Sequence, residues 1–127
     1  MVGSNLIKYG YTNVYGTLDN PAHAMNLKKV FESIPKDKNV IAIDASLSSV
    51  SSIGDINIRE GGIKAGAGVG KDIGRFGDYS ITGVVNVGGY MEYFVLQNTR
   101  LSLVVDMANQ ITNLILHRFP VENMVFA

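Results

Sequence analysis

The sequence predicts a single α/β domain, residues 1–127, in which helices and strands alternate around a mainly parallel sheet. The chain has the length of one ordinary domain, and 46% of its residues are hydrophobic, which is enough for a packed core. An unbroken apolar run at residues 40–43 is typical of a strand buried on both faces. Segments with helical spacing of apolar residues lie on both sides of this run, and that alternation favours helices packed on a sheet.

The first third of the chain predicts a helix, a strand and a second helix. Residues 2–9 suit a short helix, which the glycine that follows would stop. Residues 12–18 are rich in threonine, valine and tyrosine, and these residues favour a strand. Asn20 can cap the free amides of a helix over residues 21–33, whose first residue is a proline suited to that position. Pro35 ends this helix.

The middle of the chain predicts two strands joined by irregular loops. The apolar run 40–43 ends at Asp44, and the five serines of residues 46–52 have the composition of a loop. Residues 55–59 alternate between apolar and polar side chains, which predicts a strand with its isoleucines on one side. Seven glycines within residues 61–77 are too many for a regular element.

The last part of the chain predicts one further strand and two helices. Residues 79–87 are rich in valine and isoleucine and end at a pair of glycines, which favours a strand. Residues 90–97 suit a short buried helix. Residues 99–118 form the longest predicted helix, because apolar side chains recur at three-and-four spacing, and Pro120 closes it.

Composition excludes several classes of function. Eleven basic and eleven acidic residues give a net charge of zero, which disfavours binding to nucleic acid through a broad basic face. The absence of cysteine excludes disulfides and thiolate metal sites. No apolar stretch approaches the roughly 20 residues of a membrane helix, and no secretion signal is visible. We therefore expect a cytoplasmic protein with no cofactor, no nucleic-acid partner and no membrane partner.

Asp44 is the candidate catalytic residue. It follows four apolar residues, and open α/β sheets place their sites at the carboxyl ends of strands. A carboxylate in that position could accept a proton or bind a metal. The structural alternative is that Asp44 caps the serine-rich loop through hydrogen bonds to backbone amides. Asp19 has a similar position, but a helix start directly follows it, and a capping role is favoured.

The glycine-rich segment invites comparison with a phosphate-binding loop. That loop needs glycine where Ala65 stands and serine or threonine where Asp72 stands, so the pattern fails. Gly66, Gly68 and Gly70 could still bring the backbone close to a substrate peptide, and we take them as candidate substrate-binding residues. A small-molecule site at the same loop is a further hypothesis.

Three other titratable residues are weaker candidates. His23 lies near a predicted helix start and could reach a cleft at the strand ends, whereas His117 lies near the end of the last helix. Surface or capping roles are favoured for both, and two separate histidines without cysteine indicate no strong transition-metal site. Glu92 lies in an apolar stretch, where burial would raise its pKa, unless it occupies an exposed face.

Four segments resemble the YyaC family of sporulation proteins. They are the runs VYGTLDNPAHAMNL at residues 14–27, IAIDA at 41–45, KAGAGVGK at 64–71 and GDYSITGVVNVGGYMEYFVLQNTRL at 77–101. The family is similar in fold to the spore germination protease and to hydrogenase maturation peptidases. The resemblance therefore implies a three-layer α/β sandwich with a mainly parallel twisted central sheet, phosphorylase/hydrolase-like, in the cytoplasm of the mother cell or developing spore.

The resemblance also implies a peptidase that acts on a protein or peptide substrate. Asp44 matches one acid of the pair that works on a water molecule in the wider superfamily. Family members carry a strand and a glycine-rich segment with the second acid before the point where this chain starts. We therefore expect little or no proteolytic activity from this chain alone, and unpaired backbone groups in the sheet that would allow pairing with a second copy in a homo-oligomer. The alternative is a non-catalytic binding or structural module on the same fold.

Overall fold

A four-stranded sheet with helices packed on it forms the centre of the computed structural model, which describes residues 1–22, 26–35, 38–64, 75–89, 91–119 and 124–126. The described elements are, in chain order, α1 (Val2–Lys8), α2 (Leu27–Ser33), β1 (Asn39–Ser48), a 3-10 turn (Val50–Ser52), β2 (Ile56–Glu60), β3 (Ile63–Lys64), β4 (Arg75–Phe76), β5 (Tyr79–Val87), α3 (Glu92–Gln97), α4 (Leu101–Arg118) and β6 (Met124–Phe126).

The main sheet has the strand order β2-β5-β1-β6. Strand β1 pairs in parallel with β5 on one side and with β6 on the other, while β2 runs antiparallel to β5. Strands β3 and β4 form a separate antiparallel pair. The predicted α/β class is therefore confirmed. The sheet is mixed, and its parallel pairings are those on the two sides of β1.

Helices α1 and α4 pack on each other and cover one face of the sheet. The largest fully buried side chains come from α1, β1, β5 and α4, and they are Leu6, Ile41, Ile81 and Ile115. Helix α4 comes close to β5 because Gly83 has no side chain, and a β-carbon there would lie 2.8 Å from Cε of Met107. A smaller cluster of Ile34, Val40 and Tyr15 lies at the start of β1.

Several predicted elements are confirmed nearly to the residue. Strand β5 matches its predicted range, α1 ends one residue earlier than predicted, β2 is shifted by one residue, and α4 begins two residues later. Helix α3 covers most of the predicted turn at residues 90–97. In α1, β5 and α4 the local apolar pattern agrees with what the core requires, because each of them contributes buried side chains to it. The burial predicted for residues 90–97 is not seen among the described side chains of α3, which are exposed or partly buried.

The strand predicted at residues 12–18 is wrong, because this segment forms only an isolated bridge at Val14. The buried side chain of Tyr11 holds its start, and its hydroxyl donates a hydrogen bond to the carbonyl of Phe119 at 2.8 Å. Further along, Gly16 has a φ of 96°, which interrupts an extended chain. The segment is therefore a connection packed beside α1 and not a member of the sheet.

The predicted helix start at Asn20 is also wrong. In the described part of this segment, the helix begins at Leu27, and Asn26 holds the N-cap position. Asn20 belongs instead to a turn, in which its amide donates to the hydroxyl of Thr17 at 3.0 Å and its carbonyl accepts from the amide of Thr17 at 3.0 Å. This local side-chain hydrogen bond competes with helix formation. The predicted end of the helix at Ser33 is confirmed.

Strand β1 does not end at Asp44, as the sequence predicts, but continues to Ser48. Its partner β5 is nine residues long and pairs with β1 as far as Ser48 and Val87, so tertiary pairing holds part of the serine-rich segment extended. A further correction concerns residues 61–77, which were predicted to hold no regular element. The short pair of β3 and β4 lies within that range.

Candidate functional site

Asp44 is the sixth residue of β1 and lies on the sheet face opposite α1 and α4. Ile41 and Ile43 of the same strand pack in or against the core beneath those helices. Because side chains alternate along a strand, Asp44 projects to the other face together with Ala42. The candidate residue is thus a side chain on the face of the sheet and not a strand terminus.

Strand pairing places two more polar side chains in line with Asp44. Thr82 of β5 lies opposite Asp44, and Asn57 of β2 lies opposite Thr82. Their strand neighbours Ile81 and Ile56 contribute to the core on the other face, so both polar side chains share the face of Asp44. We refer to Asp44, Thr82 and Asn57 as the polar row.

The polar row crosses three strands and has the dimensions of a small ligand. Neighbouring strands lie about 5 Å apart, so the backbones at Asp44 and Asn57 are separated by about 10 Å. Thr82 and Asn57 are partly buried, whereas Asp44 is exposed. A molecule seated over Thr82 would therefore have a carboxylate on one side, an amide on the other and a hydroxyl beneath it.

The charge state of Asp44 is set by two opposing influences. Burial raises the pKa of the Asp44 carboxyl, because the surrounding protein removes part of its hydration even though the side chain keeps contact with solvent. A hydrogen bond of 2.9 Å from the amide of Ala45 to Oδ1 of Asp44 lowers the pKa and is the smaller effect. The carboxyl is therefore a better proton acceptor than an ordinary surface aspartate.

Among the described residues, the part of β1 around Asp44 pairs with a strand on one side only. Strand β6 pairs with β1 at residues 39–41, and no described strand pairs with that edge further along. The neighbouring strand on the other side, β5, continues along the whole of this region. In the described part of the chain, the polar row therefore ends at a stretch of β1 that pairs with a strand on the β5 side only.

Among the described residues, no second acid faces Asp44. By register, Thr82 lies opposite Asp44 on the neighbouring strand, and Asn57 lies opposite Thr82 on β2, one strand further away. Asp55 directly precedes β2. No group of three or more histidine, aspartate or glutamate side chains in the described ranges is placed to hold a metal ion. The row as described supplies one proton acceptor with hydrogen-bonding groups beside it.

The other candidate residues are not brought to this site by the described structure. His23, Gly66, Gly68 and Gly70 lie outside the described residues, as does the side chain of Glu92. His117 is exposed on the last turn of α4, with its Nδ1 atom 2.7 Å from the carbonyl oxygen of Asn113. Asp19 lies in the turn that replaces the predicted helix start, and no described helix begins there.

Sequence reasoning missed Thr82 and Asn57. One signal for Asn57 was present, because the alternation of residues 55–59 puts it on the side away from the isoleucines. Thr82 gave no comparable signal, since it lies within an apolar strand. What joins both to Asp44 is the register of β1, β5 and β2, which is a long-range property of the fold.

A separate open cleft of about 500 Å³ lies at the opposite end of β1, lined in part by Phe31, Lys38, Arg75 and Asp78. Asp78 closes the strand pairing there, since its Oδ2 atom accepts from the amide of Val40 at 2.8 Å and its own amide donates to the carbonyl of Val40 at 2.8 Å. Asp44 does not line this cleft.

Comparison with known proteins gives the family. The family model described as "Protein of unknown function (DUF1256)" matches residues 1–114. The chain belongs to this family. It is also 53% identical over 114 residues to "Uncharacterized protein YyaC" of Bacillus subtilis (strain 168), and this confirms the resemblance to the YyaC family. The match covers 86% of this chain and 56% of the relative, so the chain spans about half the length of that curated protein.

No solved structure matches the chain. Within the described ranges, no helix is both long and apolar enough to cross a bilayer.

Proposed function

We propose that this chain carries part of the acid–base site of a sporulation-associated peptidase, with Asp44 as the proton acceptor. The observation that supports this most is the combination at Asp44 of a raised pKa and a row of hydrogen-bonding side chains on the same face of the sheet. A general base needs a pKa near its working pH and access to the reacting water. Asp44 has both a pKa shift in that direction and contact with solvent.

The chemistry of the proposal assigns a role to each member of the polar row. Ionised Asp44 takes a proton from a water molecule as the water attacks the carbonyl carbon of a peptide. Asn57 and Thr82 donate hydrogen bonds that orient the water or the substrate. The C–N bond then breaks, and the departing amine takes the proton that Asp44 carries. No second acid in the described ranges faces Asp44 to hold a proton on the amine side in advance. We therefore expect the 127-residue chain by itself to cleave peptides slowly.

A second candidate is a non-catalytic binding module on the same fold. The absence of a facing acid among the described residues favours it, because a single carboxylate beside a hydroxyl and an amide suffices to bind a polar ligand. The two candidates share the polar row and differ in whether a bond is broken there.

We also propose the finer features that the family resemblance implies. These are a three-layer sandwich of the phosphorylase/hydrolase-like type, a cytoplasmic location in the mother cell or developing spore, and a protein or peptide substrate. The net charge of zero agrees with a partner that is not a nucleic acid. A homo-oligomer is compatible with the uncovered part of β1.

The test is cleavage of an unfolded protein extract by the purified chain, with new amino termini read by mass spectrometry. The variants are Asp44→Asn and the control Asp106→Asn, which changes an exposed acid on α4. We expect slow cleavage that Asp44→Asn abolishes and Asp106→Asn leaves unchanged. Cleavage that survives Asp44→Asn would overturn the assignment. Peptide binding without any new termini would establish the binding module instead.

A further inference from the structure

The cleft at the start of β1 is a second place where the fold leaves room for a ligand. Its volume of about 500 Å³ lies within the usual range of small-molecule sites. The described residues that line it come from α2, the start of β1, β4 and the turn before β5, and all of them fall between Phe31 and Asp78 in the sequence. The interior of the chain therefore builds the walls of this cleft.

The deepest part of the cleft is apolar. Ile34 and Val40 are each 6% exposed and form the small buried cluster against which Tyr15 packs. Phe31 and Pro35 extend this apolar surface outward to solvent, and both are exposed. A hydrophobic group of a ligand seated here would be removed from water, and that removal is a general source of affinity in such sites.

Charged side chains of both signs surround this apolar surface. Lys38 and Arg75 contribute two cations, and Glu32 and Asp78 contribute two anions. In the part of the chain that the structure describes, no ion pair joins any of these four side chains. A ligand that carries one positive and one negative group would find partners for both, whereas a ligand with a single charge would leave one pair unused.

Two of these charges are fixed by hydrogen bonds to the backbone. Nη1 of Arg75 donates to the carbonyl of Gly62 at 3.3 Å, and the guanidinium has further N–H groups that can bind a carboxylate. Oδ2 of Asp78 accepts from the amide of Val40 at 2.8 Å, and a carboxylate can accept additional hydrogen bonds from an ammonium group. A cation and an anion that are held in place before a ligand arrives lower the entropic cost of binding.

We infer that this cleft binds a short apolar peptide, of dipeptide size, through its two free termini. The carboxylate of the ligand pairs with Lys38 and Arg75, and its ammonium group pairs with Asp78. Its side chains lie on Phe31 and on the apolar surface beneath. Asp44 does not line the cleft, so this binding site is separate from the proposed peptidase chemistry.

The test is a titration of the ¹⁵N-labelled full chain with leucyl-phenylalanine, followed by nuclear magnetic resonance. We expect saturable shifts at the amides of Ile34 and Val40, from which the dissociation constant is read. The same dipeptide with an acetylated amino end, or with an amidated carboxyl end, should bind about tenfold more weakly, because each loses a charge-assisted hydrogen bond. Free leucine and free phenylalanine should also bind more weakly, because each covers less apolar surface.

Variants of the cleft test the two fixed charges. Arg75→Gln and Asp78→Asn should each weaken binding of the dipeptide about tenfold. The new side chain of Asp78→Asn keeps an oxygen that can accept from the amide of Val40, so the strand pairing is retained. The matched controls are Arg59→Gln and Asp106→Asn, which change exposed charges outside the cleft and should bind as the unaltered chain does.

The site and the proposed peptidase can fail separately. Asp44→Asn should abolish cleavage in the assay of the proposed function and leave binding of leucyl-phenylalanine unchanged. Equal binding of the free and the blocked dipeptides would overturn the inference, as would equal binding of a free amino acid. Absence of shifts at millimolar dipeptide, or binding that both Arg75→Gln and Asp78→Asn leave unaltered, would also overturn it.

Discussion

The hydroxyl of Tyr11 offers a sharp test of how the start of the chain is fixed to its last long helix. Tyr11 is only 4% exposed, and its hydroxyl donates to the carbonyl of Phe119, just beyond α4, at 2.8 Å. Tyr11→Phe keeps the ring and removes this donor. The same hydroxyl lies 3.5 Å from the carbonyl oxygen of Ile115, so the variant removes the donor for both carbonyls. Loss of a donor at this buried ring costs about 1–2 kcal/mol of unfolding free energy.

For a domain of this size, that cost corresponds to a fall of roughly 3–8 °C in melting temperature. The matched control is Tyr9→Phe, because Tyr9 is 62% exposed and its substitution should stay within about 0.5 kcal/mol of the unaltered chain. Thermal and urea unfolding, followed by circular dichroism, measure both variants. Indistinguishable stabilities for the two would show that the hydrogen bond does not stabilise the fold and that the reasoning is wrong.

Three further predictions concern packing and charge. Gly3→Ala should lower stability by about 1–3 kcal/mol in urea unfolding, because its β-carbon would overlap a backbone carbonyl of the facing loop; unchanged stability would contradict that packing. Ile81→Ala, at a fully buried site, should cost about 2–5 kcal/mol, far more than Ile58→Ala at a 44% exposed site on the paired strand. Burial raises the pKa of Asp44 in the folded chain above its ordinary value of 3.8. Protonation of Asp44 therefore favours folding. The stability that it contributes below pH 3.8 is lost as the pH rises through the higher pKa of the folded chain. Urea unfolding measured as the pH rises through this range should show a smaller loss of unfolding free energy for Asp44→Asn than for the unaltered chain or Asp106→Asn. Parallel pH profiles for all three proteins would refute the raised pKa of Asp44.

The elements that the sequence predicts well are those whose local pattern and tertiary environment agree. Strand β5 and helix α4 bury one continuous set of apolar side chains, so periodicity alone locates them. The segment 12–18 shows the opposite case. Its β-forming residues are held out of the sheet by the anchoring of Tyr11 and the turn at Gly16, and neither contact is visible in the local sequence.

The same distinction applies to the candidate site, of which only one residue could be predicted from the sequence. Asp44 is recognisable because a carboxylate directly after an apolar strand is unusual, although the strand continues past it. Thr82 and Asn57 are brought into line with Asp44 by strand register. The pairing of β1 with β6 at residues 39–41 is likewise set by the fold. Neither property follows from spacing along the chain, because both depend on residues tens of positions apart.

The contact between α1 and α4 has a consequence for how the chain acquires its structure. The hydrogen bond from Tyr11 to Phe119 joins residues 108 positions apart, and the side chain of Asn5 donates to Thr112 across 107 positions at 3.2 Å. Closing so long a loop costs conformational entropy, and this cost arises before the contacts of the core form and offset it. Contacts of such high sequence separation are typical of slow folding. We therefore expect the packing of α1 against α4 to be completed late in folding, after β1, β5 and α4 have come together.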